Sequence, residues 1–315
     1  MQKEKSTAEA RNETAPRILS AAERGPTAVS GKNEPSQLTA DRRLGQILVE
    51  QGKLSASDVD RVLEYAKKKR MRFGGAAVRL KLIKRNDLQH AIAEQFDYPY
   101  LDKGDGGHSR KLIAAYNPFS AKAEKLRNLR SQILLHWDDS ENKTIAVLSP
   151  DTDETSTLIA ANLAVVFSQS GDRTLLIDAD LRNAGLQEYF NSDPRVGLST
   201  VLLNRVHPGA GLHRLDEFRD LTLMPAGSLP PNPGDLLARG KWSDLVKRLA
   251  GSFETTIISG PTASSDAAAE TIARACDKTL VVLQANRTRC AEAQRLLESL
   301  RDVGADVVGA VIVDL

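Results

Sequence analysis

Between the apolar run Ile145-Ala-Val-Leu148 and the apolar-rich stretch that starts at Leu158 lies a polar segment, Ser149-Pro-Asp-Thr-Asp-Glu-Thr-Ser-Thr157. Strand, loop and helix in this order are the layout of a phosphate-binding loop. In such a loop glycine N–H groups close around phosphate oxygens, a lysine meets the β- and γ-phosphates, and a Ser or Thr holds magnesium. Here Asp153 and Thr155 stand where glycines belong, Ser156 stands where the lysine belongs, and Thr157 is the one recognisable member. Without the lysine a transferring phosphate loses its main positive partner, and Asp153 and Glu154 add negative charge beside it. The loop is therefore expected to bind phosphate poorly, although the N–H groups at a helix start still attract anions.

No other catalytic constellation replaces it. His90, His108, His136, His207 and His213 show no metal-ligand spacing, and Gly-x-Ser-x-Gly is absent. Cys276 and Cys290 form neither a disulfide framework nor a ligand cluster and read as small buried apolar residues of a reducing compartment. A net charge of +2 gives no reason to expect nucleic acid as a partner.

The elements that must position the loop come next. Apolar runs at 145–148, 174–177, 221–224, 255–258, 280–283 and 307–312 are rich in Val, Ile and Leu, as parallel strands buried on both faces are. Helical patterns lie between several of them: Leu158 to Phe167, Leu237 to Leu249 and Ala291 to Val303. Asn232-Pro233 is a good helix start. This alternation predicts an α/β fold with an open, doubly wound parallel sheet, whose ligands bind beyond the carboxyl ends of the strands. The 315 residues suffice for two cores. There is no signal pattern and no run of about 18 apolar residues, so a cytoplasmic protein is expected.

Residues 1–38 are rich in Ser, Thr, Ala, Glu, Lys and Pro without apolar periodicity, and read as a disordered tail. Residues 39–102 repeat themselves: Arg43-Leu44-Gly45 recurs as Arg72-Phe73-Gly74, and the apolar positions after each recur in step. Two copies of one small helical unit pack here, with a break near Gly52 or Lys81 and cap-type residues at Ser55 to Asp58 and Lys84 to Asp87. The glycine-rich segment 103–115 reads as a linker, and 116–315 as the α/β domain. At the start of that domain Ser120 is the expected N-cap of a helix with an apolar face at Leu126, Leu129, Ile133 and Leu134. The other face carries Glu124, Arg127 and Arg130 and is expected to be free.

On Arg43-Leu44-Gly45, Arg72-Phe73-Gly74 and Gln95, the repeat domain resembles the N-terminal domain of type II secretion and pilus-assembly ATPases, which can bind cyclic di-GMP. The resemblance implies that these residues form such a site. An Arg can give two hydrogen bonds to guanine O6 and N7, and a Gly permits close backbone approach. Ala66 for the terminal Gln, Phe73 for Leu and Lys81 for Gly depart from the pattern. A plain helical adaptor, with arginines capping helices or pairing with carboxylates, is the alternative.

From about Tyr116 the chain resembles the cytoplasmic domain of bacterial tyrosine autokinases, in particular the EpsG-type chain-length-determinant kinases of exopolysaccharide clusters. Three stretches carry the resemblance: Glu124-x-x-Arg127-x-x-Arg130, Thr174-Leu-Leu-Ile-Asp178-Ala-Asp180-Leu-Arg182 and Pro230-Pro-Asn-Pro233. It implies a fold of the P-loop NTPase type shared with MinD, oligomerisation through Glu124, Arg127 and Arg130, and magnesium handling by Asp178 and Asp180. At a further strand end the family carries an Asp where Ser259 stands here. No tyrosine cluster follows the last apolar run. The expectation is a non-catalytic, kinase-like adaptor, cytoplasmic and peripheral to the inner membrane. Its partner would be a membrane chain-length or polysaccharide-export protein or a catalytic paralogue, in a homo- or hetero-oligomer. The alternatives are an active ATP-dependent tyrosine kinase, with Thr157, Asp178 and Asp180 holding magnesium, and a MinD-like spatial regulator.

Overall fold

A computed structural model describes residues 37–315 except 97, 102–105, 138–142, 153, 194, 239–240, 264–266 and 315; for 37–42 it describes the backbone alone. The expected tail, residues 1–36 at least, lies outside the described residues, as do Asp153 and the Lys103–Asp105 part of the expected linker.

Four helices make the repeat domain: α1 (Gln37–Glu50), α2 (Ala56–Lys69), α3 (Phe73–Arg79) and α4 (Arg85–Gln95). The repeat seen in the sequence is a repeat of local physics. Gly52 and Lys81 both take positive φ (+66° and +58°), turning the chain between the helices of each copy. Asp58 and Asp87 then each accept the N–H of the residue three before, Ser55 at 3.2 Å and Lys84 at 2.9 Å, fixing the starts of α2 and α4. Helix α1 packs on α4 and α2 on α3, so the copies are interleaved around one core of Leu44, Leu48, Leu54, Val62, Phe73 and Ile83.

In the larger domain six of the predicted runs are strands: β1 (Lys143–Leu148), β2 (Thr174–Asp178), β4 (Leu221–Met224), β5 (Thr255–Ser259), β6 (Lys278–Gln284) and β7 (Val307–Val313). A short seventh, β3 (His213–Arg214), pairs antiparallel with β4; two residues are too few to show a pattern in sequence. The order is β3-β4-β2-β5-β1-β6-β7, and every other pairing is parallel. Alternate residues of the central strands enter two different cores. Ile145, Val147, Leu176 and Ile257 face one, while Ala146, Leu148, Leu175 and Ile258 face the other. Strands buried on both faces have no polar side, which is why they read as continuous apolar runs.

Helices α5 (Ile113–Tyr116), α6 (Ala121–Leu134), α7 (Thr155–Gln169) and α8 (Leu186–Tyr189) lie with the first core. On the second are α9 (Leu198–Leu202), α10 (Pro233–Ala238), α11 (Lys241–Ala250), α12 (Ala268–Arg274) and α13 (Cys290–Asp302). Of the span expected as helix from Leu237 to Leu249, the part up to Ala238 lies in α10 and the part from Lys241 in α11, and 239–240 lie outside the described residues. Residues 106–115 do not behave as a loose linker. Leu112, Ala114 and Ala115 are buried in the first core, and His108 is buried with its ring edge-on to Phe218, 5.1 Å between centroids. Cys276 is partly buried, as its apolar reading requires, but Cys290 opens α13 and is exposed. Among the described residues no helix is long and apolar enough to cross a membrane.

Candidate functional site

Strands β1, β2, β5 and β6 end on one side of the sheet, and there the sequence-predicted residues meet. The loop leaves β1 through buried Leu148, Ser149 and Pro150 and enters α7 at Thr155. Thr155 and Ser156 are both buried in the first turn of α7, and Gln284 Nε2 at the end of β6 donates to Thr155 Oγ1 at 2.6 Å. Among the described residues of the loop none has positive φ, so this backbone does not use the conformation a glycine there would permit. Thr157 Oγ1 lies 3.5 Å from Ser259 Oγ, which closes β5. Ser259, where the resemblance implies a carboxylate, therefore sits beside the hydroxyl expected to meet magnesium.

Asp178, at the end of β2, is 1% exposed and accepts backbone N–H groups on both oxygens. Its Oδ1 accepts the Asp180 N–H at 3.2 Å, and Oδ2 accepts those of Gly185 at 3.1 Å and Leu186 at 3.0 Å. Burial pushes this carboxyl up to about 7, against the opposing pull of those N–H groups. Asp180 Oδ1 accepts from Arg182 N at 3.1 Å and Asn183 N at 2.9 Å, and the side chain lines a cavity while Arg182 is exposed. These contacts make the pair the clasp of the turn after β2.

The cavity, about 810 Å³, lies over the loop and is lined by Thr155, Thr157, Asp180, Asn183, Gln284 and Arg287 among others. Among the wall residues that sequence reasoning did not single out are Lys111, Tyr189 and Asn183. Lys111 Nζ donates to Glu154 Oε2 at 2.8 Å, and the Tyr189 hydroxyl donates to the same oxygen at 2.9 Å. These two partners hold the Glu154 carboxyl below its usual range. Nothing local marks Lys111, because it meets Glu154 only through the fold.

Magnesium with ATP does not fit this donor set. The loop presents no lysine, Asp178 spends both carboxylate oxygens on backbone N–H groups, and Ser259 brings a neutral oxygen where a carboxylate would be required.

The other predicted residues lie elsewhere. Glu124, Arg127 and Arg130 are all on α6, yet their face is not free. Arg127 donates to Glu124 Oε2 at 3.0 Å and to Pro118 O at 2.6 Å, and Arg130 donates to Val166 O at 3.0 Å, tying α6 to α7. In the repeat domain Leu44 and Phe73 are core residues. Gly45 and Gly74 are packing glycines. A Cβ on Gly45 would stand 3.0 Å from Val59 Cγ1, and one on Gly74 would stand 2.5 Å from Leu88 Cδ1. Arg43 and Arg72 are exposed, and Gln95 is half-buried on α4.

No family model matches the chain. Among curated proteins it is 30% identical to the tyrosine-protein kinase YwqD of Bacillus subtilis over 203 residues, 64% of this chain and 85% of that one. It is also 30% identical to the succinoglycan biosynthesis transport protein ExoP of Rhizobium meliloti over 207 residues, but these span 26% of that longer protein. Among solved structures the chimerical protein CapA2B2 superposes with a TM-score of 0.61 at 26% identity, over 71% of this chain and 97% of its own.

Proposed function

The chain belongs to the family of bacterial tyrosine-protein kinases, and we propose that within it this protein is a non-catalytic, kinase-like adaptor in exopolysaccharide biosynthesis or export. One observation carries the reading: of three positions that the resemblance assigns to a nucleotide phosphate and its magnesium, two hold serines and the third, Asp178, has its carboxylate on backbone N–H groups, while the surrounding fold is kept. Ser156 replaces the lysine, Ser259 replaces a carboxylate yet stays 3.5 Å from Thr157, and Asp178 is a backbone clasp. A fold does not by itself carry an activity, so loss at the site outweighs kinship.

The polysaccharide context is supported by ExoP, a succinoglycan biosynthesis transport protein in its own organism. The proposed partner is the cytoplasmic part of a membrane chain-length or export protein, or a catalytic paralogue. It would be met on α6 through Glu124, Arg127 and Arg130, each of them partly committed within the chain, and the exposed polar residues beside them. The proposed input is cyclic di-GMP at the repeat domain, read by the exposed Arg43 and Arg72. Incubated with Mg-ATP, with or without cyclic di-GMP, the full chain is expected to form no phosphotyrosine, while cyclic di-GMP alone raises Tm by several degrees. Phosphotyrosine above background would contradict the adaptor, and an unmoved Tm at high micromolar dinucleotide would remove the input.

A further inference from the structure

The cavity over the degenerate loop contains a lysine that the loop itself does not supply. Lys111 comes from the segment before α5, more than forty residues upstream of Ser156. Its backbone is fixed: Asn162, buried on α7, donates from Nδ2 to the Lys111 carbonyl at 3.1 Å and accepts the Ala114 N–H through Oδ1 at 3.0 Å. From that anchor the side chain runs along α7 toward its first turn, where it lines the cavity with Thr155, Thr157 and Asp180. Its ammonium ends on Glu154 and lies 5.8 Å from the centre of the Tyr189 ring. The tyrosine hydroxyl holds the carboxylate from the other side.

We propose that Lys111 is a latent phosphate partner for this site, supplied from outside the loop, and that Glu154, clasped between Lys111 and Tyr189, keeps it engaged. The inference deepens the adaptor reading and rests on the unmodified site having no strong hold on nucleotide. Two features support it. The Lys111 backbone is tied to α7 by a buried side chain, whereas a lysine on a solvent loop needs no such anchor. The ion pair, in contrast, is solvated, with 59% and 67% of the two side chains exposed, so it holds weakly and can be exchanged for another anion. A polyphosphate is the anion class that fits, because the opening is large enough for several phosphate groups and Arg287 also lines it. Asp180 and Glu188, also on that wall, oppose any anion.

The test uses the full chain and inorganic tripolyphosphate without metal or base, followed by calorimetric titration. Glu154→Gln, and Glu154→Ala as a second version, are expected to bind roughly tenfold more tightly than the unmodified chain, the combined effect of a freed ammonium and a removed negative charge. Adding Lys111→Met to Glu154→Gln is expected to return binding to the unmodified level. Affinity within about twofold of the unmodified chain in both Glu154 variants would overturn the proposal. So would a gain that survives Lys111→Met, which would show a charge effect without a role for the lysine. Failure here leaves the adaptor standing, because that reading falls to phosphotyrosine from the unmodified chain.

Discussion

Gly197→Ala is expected to destabilise the α/β domain by about 3 kcal/mol or more, the upper end for overpacking, because the new methyl has nowhere to go. A Cβ there would stand 2.1 Å from the Pro225 carbonyl oxygen and 2.6 Å from the Gly227 nitrogen, and both are backbone atoms. Hydrogen bonds tie the two segments of this junction together. Leu198 N and Ser199 N donate to Pro225 O and Ala226 O at 2.8 Å each, and Ser199 Oγ donates to Ser228 O at 2.7 Å. The conformation of Gly197 is extended (φ −172°), so the requirement is for space and not for a left-handed backbone. For a domain of this size the loss corresponds to a fall in Tm of roughly 6 to 12 °C. A thermal melt decides, and an unchanged midpoint would mean that the close approach after β4 is not as described. The junction precedes Pro230-Pro-Asn-Pro233, so its collapse would also displace the start of α10.

The second large effect is a dependence of stability on pH centred on Asp178. Its folded-state pKa is raised from 3.8 to about 7 by burial. Between those values the folded chain holds a proton that the unfolded chain has released, so stability falls as pH rises from about 4 to about 7 and is level above that. The contribution of this group is up to about 4 kcal/mol. Other carboxylates act in the opposite sense, among them Asp87 and Glu154, whose pKa values are lowered. The useful quantity is therefore the difference between the unmodified chain and Asp178→Asn, measured by urea unfolding across this range. Asp178→Asn is expected to be less stable at low pH, where the amide nitrogen faces backbone N–H groups, and to gain steadily on the unmodified chain toward pH 7. A difference independent of pH would show that Asp178 titrates as an ordinary carboxylate, and the case against it as a magnesium ligand would weaken.

Much of the fold was legible because its signals are local. Six strands announce themselves as runs without a polar face, and the repeat domain announces itself through residues that turn and cap the chain in step, Gly52 with Lys81 and Asp58 with Asp87. The damaged loop was legible for the same reason, since a phosphate loop is one contiguous stretch. What could not be read depends on contacts between distant residues. Lys111, in an apparently loose glycine-rich segment, becomes part of the site only because Asn162 fixes its backbone and α7 carries Glu154 to it. The commitment of Arg127 to Pro118 and of Arg130 to Val166 is equally invisible in a helical spacing that suggests a free charged face. The exposure of Cys290 follows from its place at the first position of α13 and not from its chemistry. The glycines of the Arg-Leu-Gly and Arg-Phe-Gly repeats show the converse. The spacing was right, but the close approach it serves is to Val59 and Leu88.

The central claim is that kinship to tyrosine kinases survives here as a fold without its nucleotide chemistry. Titration of the full chain with Mg-ATP by calorimetry tests it most directly. No binding up to high micromolar nucleotide is the result expected from Ser156, Ser259 and a backbone-bound Asp178, whereas saturable binding with a low-micromolar Kd that requires magnesium would contradict the claim.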